Sequence, residues 1–202
     1  MKQMVIATKN KGKANEFKRI FSEYNIRIIS LLDLPGKVPD VEETGETFKE
    51  NATLKAEQIC SYFNTPVLAD DSGLVVDALD GRPGIYSARY AGVSKNDEAN
   101  SNKVLQELED LPSEKRTARF VCVLAIAIPN NQTFFQTGYC EGEISYKEAG
   151  TNGFGYDPIF IPKGYSKTMA QLSDQEKNQI SHRSQAIFKL EDWIKNYSDI
   201  QI

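Results

Sequence analysis

The chain of 202 residues has no apolar run longer than the nine residues from Phe120 to Ile128. A membrane-spanning helix needs roughly 20, so no such helix is expected. The opening Met1 to Thr8 has too short an apolar stretch to read as a signal peptide. Cysteine is scarce: Cys60, Cys122 and Cys140 are widely spaced and form no CxxC pair. Neither a zinc site nor a disulfide framework is indicated, and a reducing cytoplasm is the simplest setting. Positive charge is not in excess. Lys and Arg total 24 against 28 Asp and Glu, a net charge of −4. That is not the basic footprint of a general nucleic-acid binder. It leaves room for a small anionic substrate, because a local lysine cluster can hold phosphate on an acidic protein. His182 is the single histidine, too few for a multi-histidine metal centre. No GxSxG elbow accompanies it as part of a Ser-His-Asp triad. There is no internal repeat, low-complexity segment or linker-like stretch.

What is present is the material of a folded domain: 40% hydrophobic and 26% charged residues. Met4 to Ala7 reads as a short buried strand, followed by a polar loop and a helix from about Lys13 with Phe17, Ile20 and Phe21 at helical spacing. Ile26 to Leu31 reads as a second strand. From Thr47 to Phe63 the apolar residues share one helical face, with Thr47 and Glu50 placed to form a capping box. Pro66 to Ala69 reads as a strand that stops at Asp70-Asp71-Ser72-Gly73 and resumes at Leu74 to Val76. Glu98 to Leu108 is helical in pattern. Thr117 to Ile128 reads as a central strand, and Thr133 to Tyr139 as its antiparallel neighbour. Gly150 to Asp157 is a loop, Ser173 to Glu176 a second capping box, and about Ser184 to Tyr197 a last helix burying Ile187, Leu190, Trp193, Ile194 and Tyr197. These elements predict one α/β domain on a mixed sheet.

Four constellations carry possible chemistry. The loop Thr8-Lys9-Asn10-Lys11-Gly12-Lys13 joins a strand to a helix N-terminus, a natural phosphate site with lysines added. It is not a Walker loop, which needs Gly at position 7 and Ser or Thr at 14, where Ala7 and Ala14 stand. The plainer reading is a solvated loop. Asp70-Asp71 lies at an expected strand end, with Glu42-Glu43 in a separate loop. Carboxylates that meet at such an end can hold Mg²⁺ or accept a proton from an attacking water. The alternative is an aspartate capping a turn with Ser72-Gly73. Gly153-Phe154-Gly155-Tyr156-Asp157-Pro158 can set an aromatic face against a base, or it can be a tight turn with half-buried aromatics. Lys177 and Ser181-His182-Arg183-Ser184 form the fourth set. A lone histidine is more often structural, but beside Arg183 at a helix start it reads better as a ligand contact than as a core residue.

In this order the four sets resemble the inosine triphosphate pyrophosphatase family. The resemblance also takes in Phe48-Lys49-Glu50-Asn51-Ala52 and Pro83-Gly84-Ile85-Tyr86-Ser87-Ala88-Arg89-Tyr90, and so covers nearly the whole chain. It implies an elongated mixed sheet flanked by helices, two lobes around a central cleft, and usually a homodimer. It implies Mg²⁺-dependent cleavage of ITP, dITP or XTP between the α and β phosphates, giving the monophosphate and pyrophosphate. Carried onto this sequence, Thr8, Asn10 and Lys13 hold phosphates, with Lys9, Lys11 and Gly12 in the same loop. Asp71 serves as general base and metal ligand, with Glu42 or Glu43 as a further ligand. Ser72 contacts substrate. Phe154, Gly155, Tyr156, Asp157, Lys177, His182 and Arg183 surround nucleotide and base. A Maf-type pyrophosphatase with another base preference and a nucleotide-binding regulator without turnover are the rival readings. An RNA-binding module is the weakest.

Overall fold

A computed structural model describes residues 2–36, 38–92 and 96–196. The strands are β1 (Lys2–Ile6), β2 (Ile26–Ser30), β3 (Val67–Val76), β4 (Thr117–Ala127), β5 (Phe134–Ile144) and β6 (Phe160–Pro162), and they form one sheet in the order β2-β1-β3-β4-β5-β6. β1 pairs in parallel with both β2 and β3, whereas β5 and β6 are antiparallel, so the sheet is mixed as expected. The helices are α1 (Lys11–Ser22), α2 (Phe48–Phe63), α3 (Asp97–Glu107), α4 (Asp174–Ile180), α5 (His182–Phe188) and α6 (Glu191–Asn196). No helix among the described residues is long and apolar enough to cross a membrane, and the three cysteines are buried thiols outside any disulfide.

The chain folds as two compact units. The first comprises the residues up to Asp71, Cys122–Gly138, and the chain from Arg183 onward. Its core joins Met4 and Ile6 of β1, Phe17, Ile20 and Phe21 of α1, and Leu124 and Ile126 of β4 with Ile187, Leu190 and Ile194 near the C-terminus. The second comprises Ser72–Val121 and Tyr139–His182. Its core gathers Leu74 and Val76 of β3, Val104 and Leu108, Phe120, Ile144, Tyr156 and Phe160. There the fully buried Arg116 donates to the carbonyls of Leu108, Ile144 and Ser145, which closes the end of α3.

Three local expectations change. α1 begins at Lys11 because the Asn10 side chain accepts the Lys13 N–H and caps the helix two residues before the expected start. Asp70-Asp71-Ser72-Gly73 does not end a strand or turn the chain. It lies inside the continuous β3, where ion pairs described below hold Asp70 Oδ2 and Asp71 Oδ1. The last helix is two, broken at Lys189–Leu190, where the Leu190 N–H bonds the Ile187 carbonyl three residues back and the tightened turn keeps Leu190 in the core. Tyr197, expected on its buried face, lies outside the described residues.

Candidate active site

In the first unit the chemistry begins where β1 hands over to α1. Thr8 is buried, and its Oγ1 accepts the Asn10 N–H at 3.2 Å. Lys11, Gly12 and Lys13 then form the first turn of a capped helix, where backbone N–H groups lack intrahelical acceptors and favour an anion. The three lysines of the loop differ. Lys9 turns to Asp40 and the Val38 carbonyl, Lys11 is exposed, and Lys13 Nζ lies 2.8 Å from Asp70 Oδ2.

Adjacent residues of a strand point to opposite faces, so Asp70 and Asp71 receive different surroundings. Asp70 is fully buried. Burial would raise its pKa, but Lys13, Arg183 and Lys55 outweigh that and hold the carboxyl well below the usual range. Asp71 is also buried, at 5% exposure. For it burial wins. Lys55 and Lys13 pull down, Glu43 and Asp70 push up, and the pKa ends above its ordinary value. The two neighbouring carboxylates are thus pushed in opposite directions, Asp70 toward a permanent anion and Asp71 toward easier protonation.

Lys55, on α2, ties this cluster together. Its Nζ lies 2.7 Å from Glu43 Oε1 and 3.4 Å from Asp71 Oδ1. Burial would depress its pKa, but Asp71, Asp70 and Glu43 raise it, so it remains a cation. Glu42 is exposed, whereas Glu43 is the half-buried member that reaches the lysine. Arg183 is buried, with Nη1 2.8 Å from Glu16 Oε2 and Nε 3.7 Å from Asp70 Oδ2. Lys55, Glu16 and the part played by Asp70 were missed in the sequence. The available signal was charge within an apolar stripe: Lys55 falls three residues after Ala52 and four before Ile59 on the buried face of α2.

The donor set suits a hard cation shared with a substrate. Asp71 Oδ2 is buried and has no hydrogen-bond partner among the described residues, and Glu43 approaches the same lysine. No group of three or more Asp, Glu, His or Cys side chains that could hold a metal is found among the described residues. Mg²⁺ does not require one, since it commonly takes one or two carboxylates together with waters and phosphate oxygens.

In the second unit, Gly153 to Asp157 forms a tight loop. Asp157 Oδ2 accepts the Phe154 N–H at 3.1 Å and pairs with the buried Lys177 at 2.6 Å. Gly153 has φ +84°, and a Cβ there would fall on the Asp157 carboxylate and the Lys177 ammonium. Phe154 is half-buried, whereas Tyr156 is buried and donates to the Ser87 carbonyl at 2.8 Å. Ser72 is half-buried on β3. His182 is buried and stacks on Phe120 with ring centroids 4.9 Å apart, so the fold gives it a core environment that its polar sequence neighbours concealed.

The Ham1 family profile matches residues 4–193. The chain belongs to the Ham1 family. Among its relatives is the dITP/XTP pyrophosphatase of Oceanobacillus iheyensis, 64% identical over 96% of this chain and 98% of that protein. The enzyme of the same description from Listeria monocytogenes serovar 1/2a is 54% identical over 95% and 94%. In structure the chain is similar to the Staphylococcus aureus Ham1 protein, with TM-score 0.84 and 49% identity over 97% of this chain and 100% of that one. The Coxiella burnetii HAM1 protein gives 0.85 and 40% over the same shares. The mixed α/β fold is thus the Ham1 fold, and family membership agrees with the resemblance drawn from the motifs.

Proposed function

We propose that this Ham1 protein is a nucleoside-triphosphate pyrophosphatase. It hydrolyses non-standard purine nucleoside triphosphates, ITP, dITP and XTP, to the monophosphate and pyrophosphate. The observation that carries the reading is the split pair Asp70 and Asp71 beside Lys13, Lys55 and Glu43, joined with the activity named for relatives such as the one 64% identical.

Thr8, Asn10 and Lys13 would hold phosphate oxygens at the start of α1, and Lys13 would meet the charge that grows on the leaving pyrophosphate. Asp71 would accept the proton of the attacking water, for which its raised pKa suits it. Asp71 and Glu43, in preference to the exposed Glu42, would hold Mg²⁺. When bound, the ion neutralises phosphate charge and polarises the P–O bonds. The nucleoside end falls to Phe154, Tyr156, Asp157, Lys177, His182 and Arg183. A homodimer in the cytoplasm completes the expectation.

The test is product analysis after incubation with ITP and Mg²⁺. IMP and pyrophosphate are expected, and IDP with orthophosphate would overturn the assignment. A panel of ITP, XTP, dITP, GTP and ATP then separates this activity from a Maf-type preference, and absence of turnover on the whole panel would favour a binding protein.

A further inference from the structure

The loop that carries Phe154 is fastened from outside as well as from within. Asp97, the first residue of α3, accepts the Gly155 N–H on Oδ2 at 2.7 Å. One turn further along α3, Ser101 Oγ lies 3.5 Å from the Gly155 carbonyl. Both polar groups of one peptide-bearing residue are thus turned toward the same helix. Gly155 itself has φ +62° and Gly153 φ +84°, so Phe154 sits between two left-handed residues. Such a turn has few internal restraints of its own, and a glycine-flanked loop has many alternative conformations to lose. The Asp157–Lys177 pair fixes the loop on the far side of Phe154, and the Tyr156–Ser87 bond fixes the following residue. Asp97 supplies the restraint at Gly155.

Asp97 belongs to none of the motifs above and is an exposed residue in an acidic helix start. A helix N-terminus explains an aspartate in the first turn. It does not explain why the carboxylate leaves the helix to bind an amide 58 residues away in sequence.

We propose that Asp97 is a positioning residue that holds the Phe154 loop in the conformation that selects the base. The proposal rests on the pyrophosphatase reading, in which that loop faces the nucleoside end of the substrate. Asp97 is not among the residues assigned to phosphate or to the attacking water, and its carboxylate is bonded to the loop. Its removal acts on base recognition and leaves the phosphate chemistry in place. A loop freed at Gly155 must be ordered at each binding event, which raises KM and blurs the distinction between bases.

The experiment compares wild type, Asp97→Ala and Asp97→Asn. The asparagine keeps a carbonyl oxygen that can accept the same N–H. In Asp97→Ala, KM for ITP should rise about fivefold to tenfold, the size of one hydrogen bond, with kcat close to wild type. The ratio of kcat/KM for ITP over GTP should fall by a similar factor. Inhibition by pyrophosphate should be unchanged. Asp97→Asn should restore most of the loss. Hydrogen exchange at the Gly155 amide, read without any substrate, should speed up at least about tenfold in Asp97→Ala and not in Asp97→Asn. Unchanged Gly155 exchange in the alanine variant would overturn the proposal. So would equal losses for ITP and pyrophosphate, or an asparagine variant no better than alanine. If wild type fails to hydrolyse ITP, the functional reading falls, and the exchange measurement alone decides whether Asp97 anchors the loop.

Discussion

The proposed reaction asks for an ionised carboxylate at position 71, in a place that resists charge. Its folded-state pKa lies above the ordinary value, chiefly through burial. The fold therefore favours the protonated form. The contribution of this group to stability is greatest in acid and is lost as pH rises through the folded value. Asparagine stays neutral throughout. Asp71→Asn should cost about 10²–10⁴-fold in kcat, as expected on removal of a general base. The same variant should melt higher than wild type at neutral pH, and the gap should close as the pH is lowered toward the carboxylate range. A variant both active and less stable would move the base elsewhere. Arg183 presents the opposite case. Burial would lower its pKa, but Glu16 and Asp70 hold it firmly cationic. Deleting it leaves Glu16 buried without the Arg183 guanidinium. Arg183→Ala should lose roughly 3–5 kcal/mol in a urea titration. The double variant with Glu16→Ala should recover part of that loss, and strict additivity would show the pair to be uncoupled.

Among the elements, the junction between the acidic loop and α2 leaves no room for a side chain at Gly45. The Gly45 N–H donates to Asn51 Oδ1 at 2.8 Å, and a Cβ at Gly45 would lie 2.6 Å from Glu50 Cβ and 2.8 Å from that oxygen. Gly45→Ala must therefore push the loop off the helix, at a cost of about 1–3 kcal/mol by analogy with overpacked cores. Glu43 moves with it and leaves Lys55. Activity titrated with Mg²⁺ should show a several-fold weaker apparent metal constant, and an unchanged titration would remove Glu43 from the metal site. This junction also shows what the sequence reveals. The Thr47–Glu50 and Ser173–Glu176 boxes were legible because every partner lies within three residues, and both form. The start of α1 was misplaced by two residues because Asn10 could be read equally as loop or cap. The continuity of β3 through Asp70-Asp71 was not legible at all. It depends on Lys13, Lys55 and Arg183, which reach it from distant segments, and local composition alone spells a turn there. The burial of His182 on Phe120, 62 residues away, was hidden for the same reason. The order of the motifs pointed to the family, but the pairing of charges within the site came only from the fold.

For the whole molecule the governing quantity is charge. The chain carries −4 and its proposed substrate several further negative charges. Association cannot rest on net attraction, and the two lysines nearest the carboxylates are already engaged: Lys13 with Asp70, Lys55 with Glu43 and Asp71. A triphosphate arriving alone would have to compete with those carboxylates. One arriving with Mg²⁺ would bring a cation that could replace Lys55 at Asp71 and Glu43 and free that lysine for phosphate. Metal and phosphate should therefore bind as a unit, and the melting temperature reads that coupling without turnover. A ligand at 100 times its Kd stabilises by about 2.7 kcal/mol. For a chain of this size each kcal/mol raises Tm by roughly 2–4 °C. Pyrophosphate with Mg²⁺ should then raise Tm by roughly 5–11 °C at saturation. Mg²⁺ alone, or pyrophosphate with a chelator, should give only a small part of that shift. Asp71→Asn should lose the coupled part while keeping whatever pyrophosphate gives alone. If pyrophosphate produces the full shift in the presence of chelator, the lysines bind it unaided, and Asp71 and Glu43 have no metal to hold.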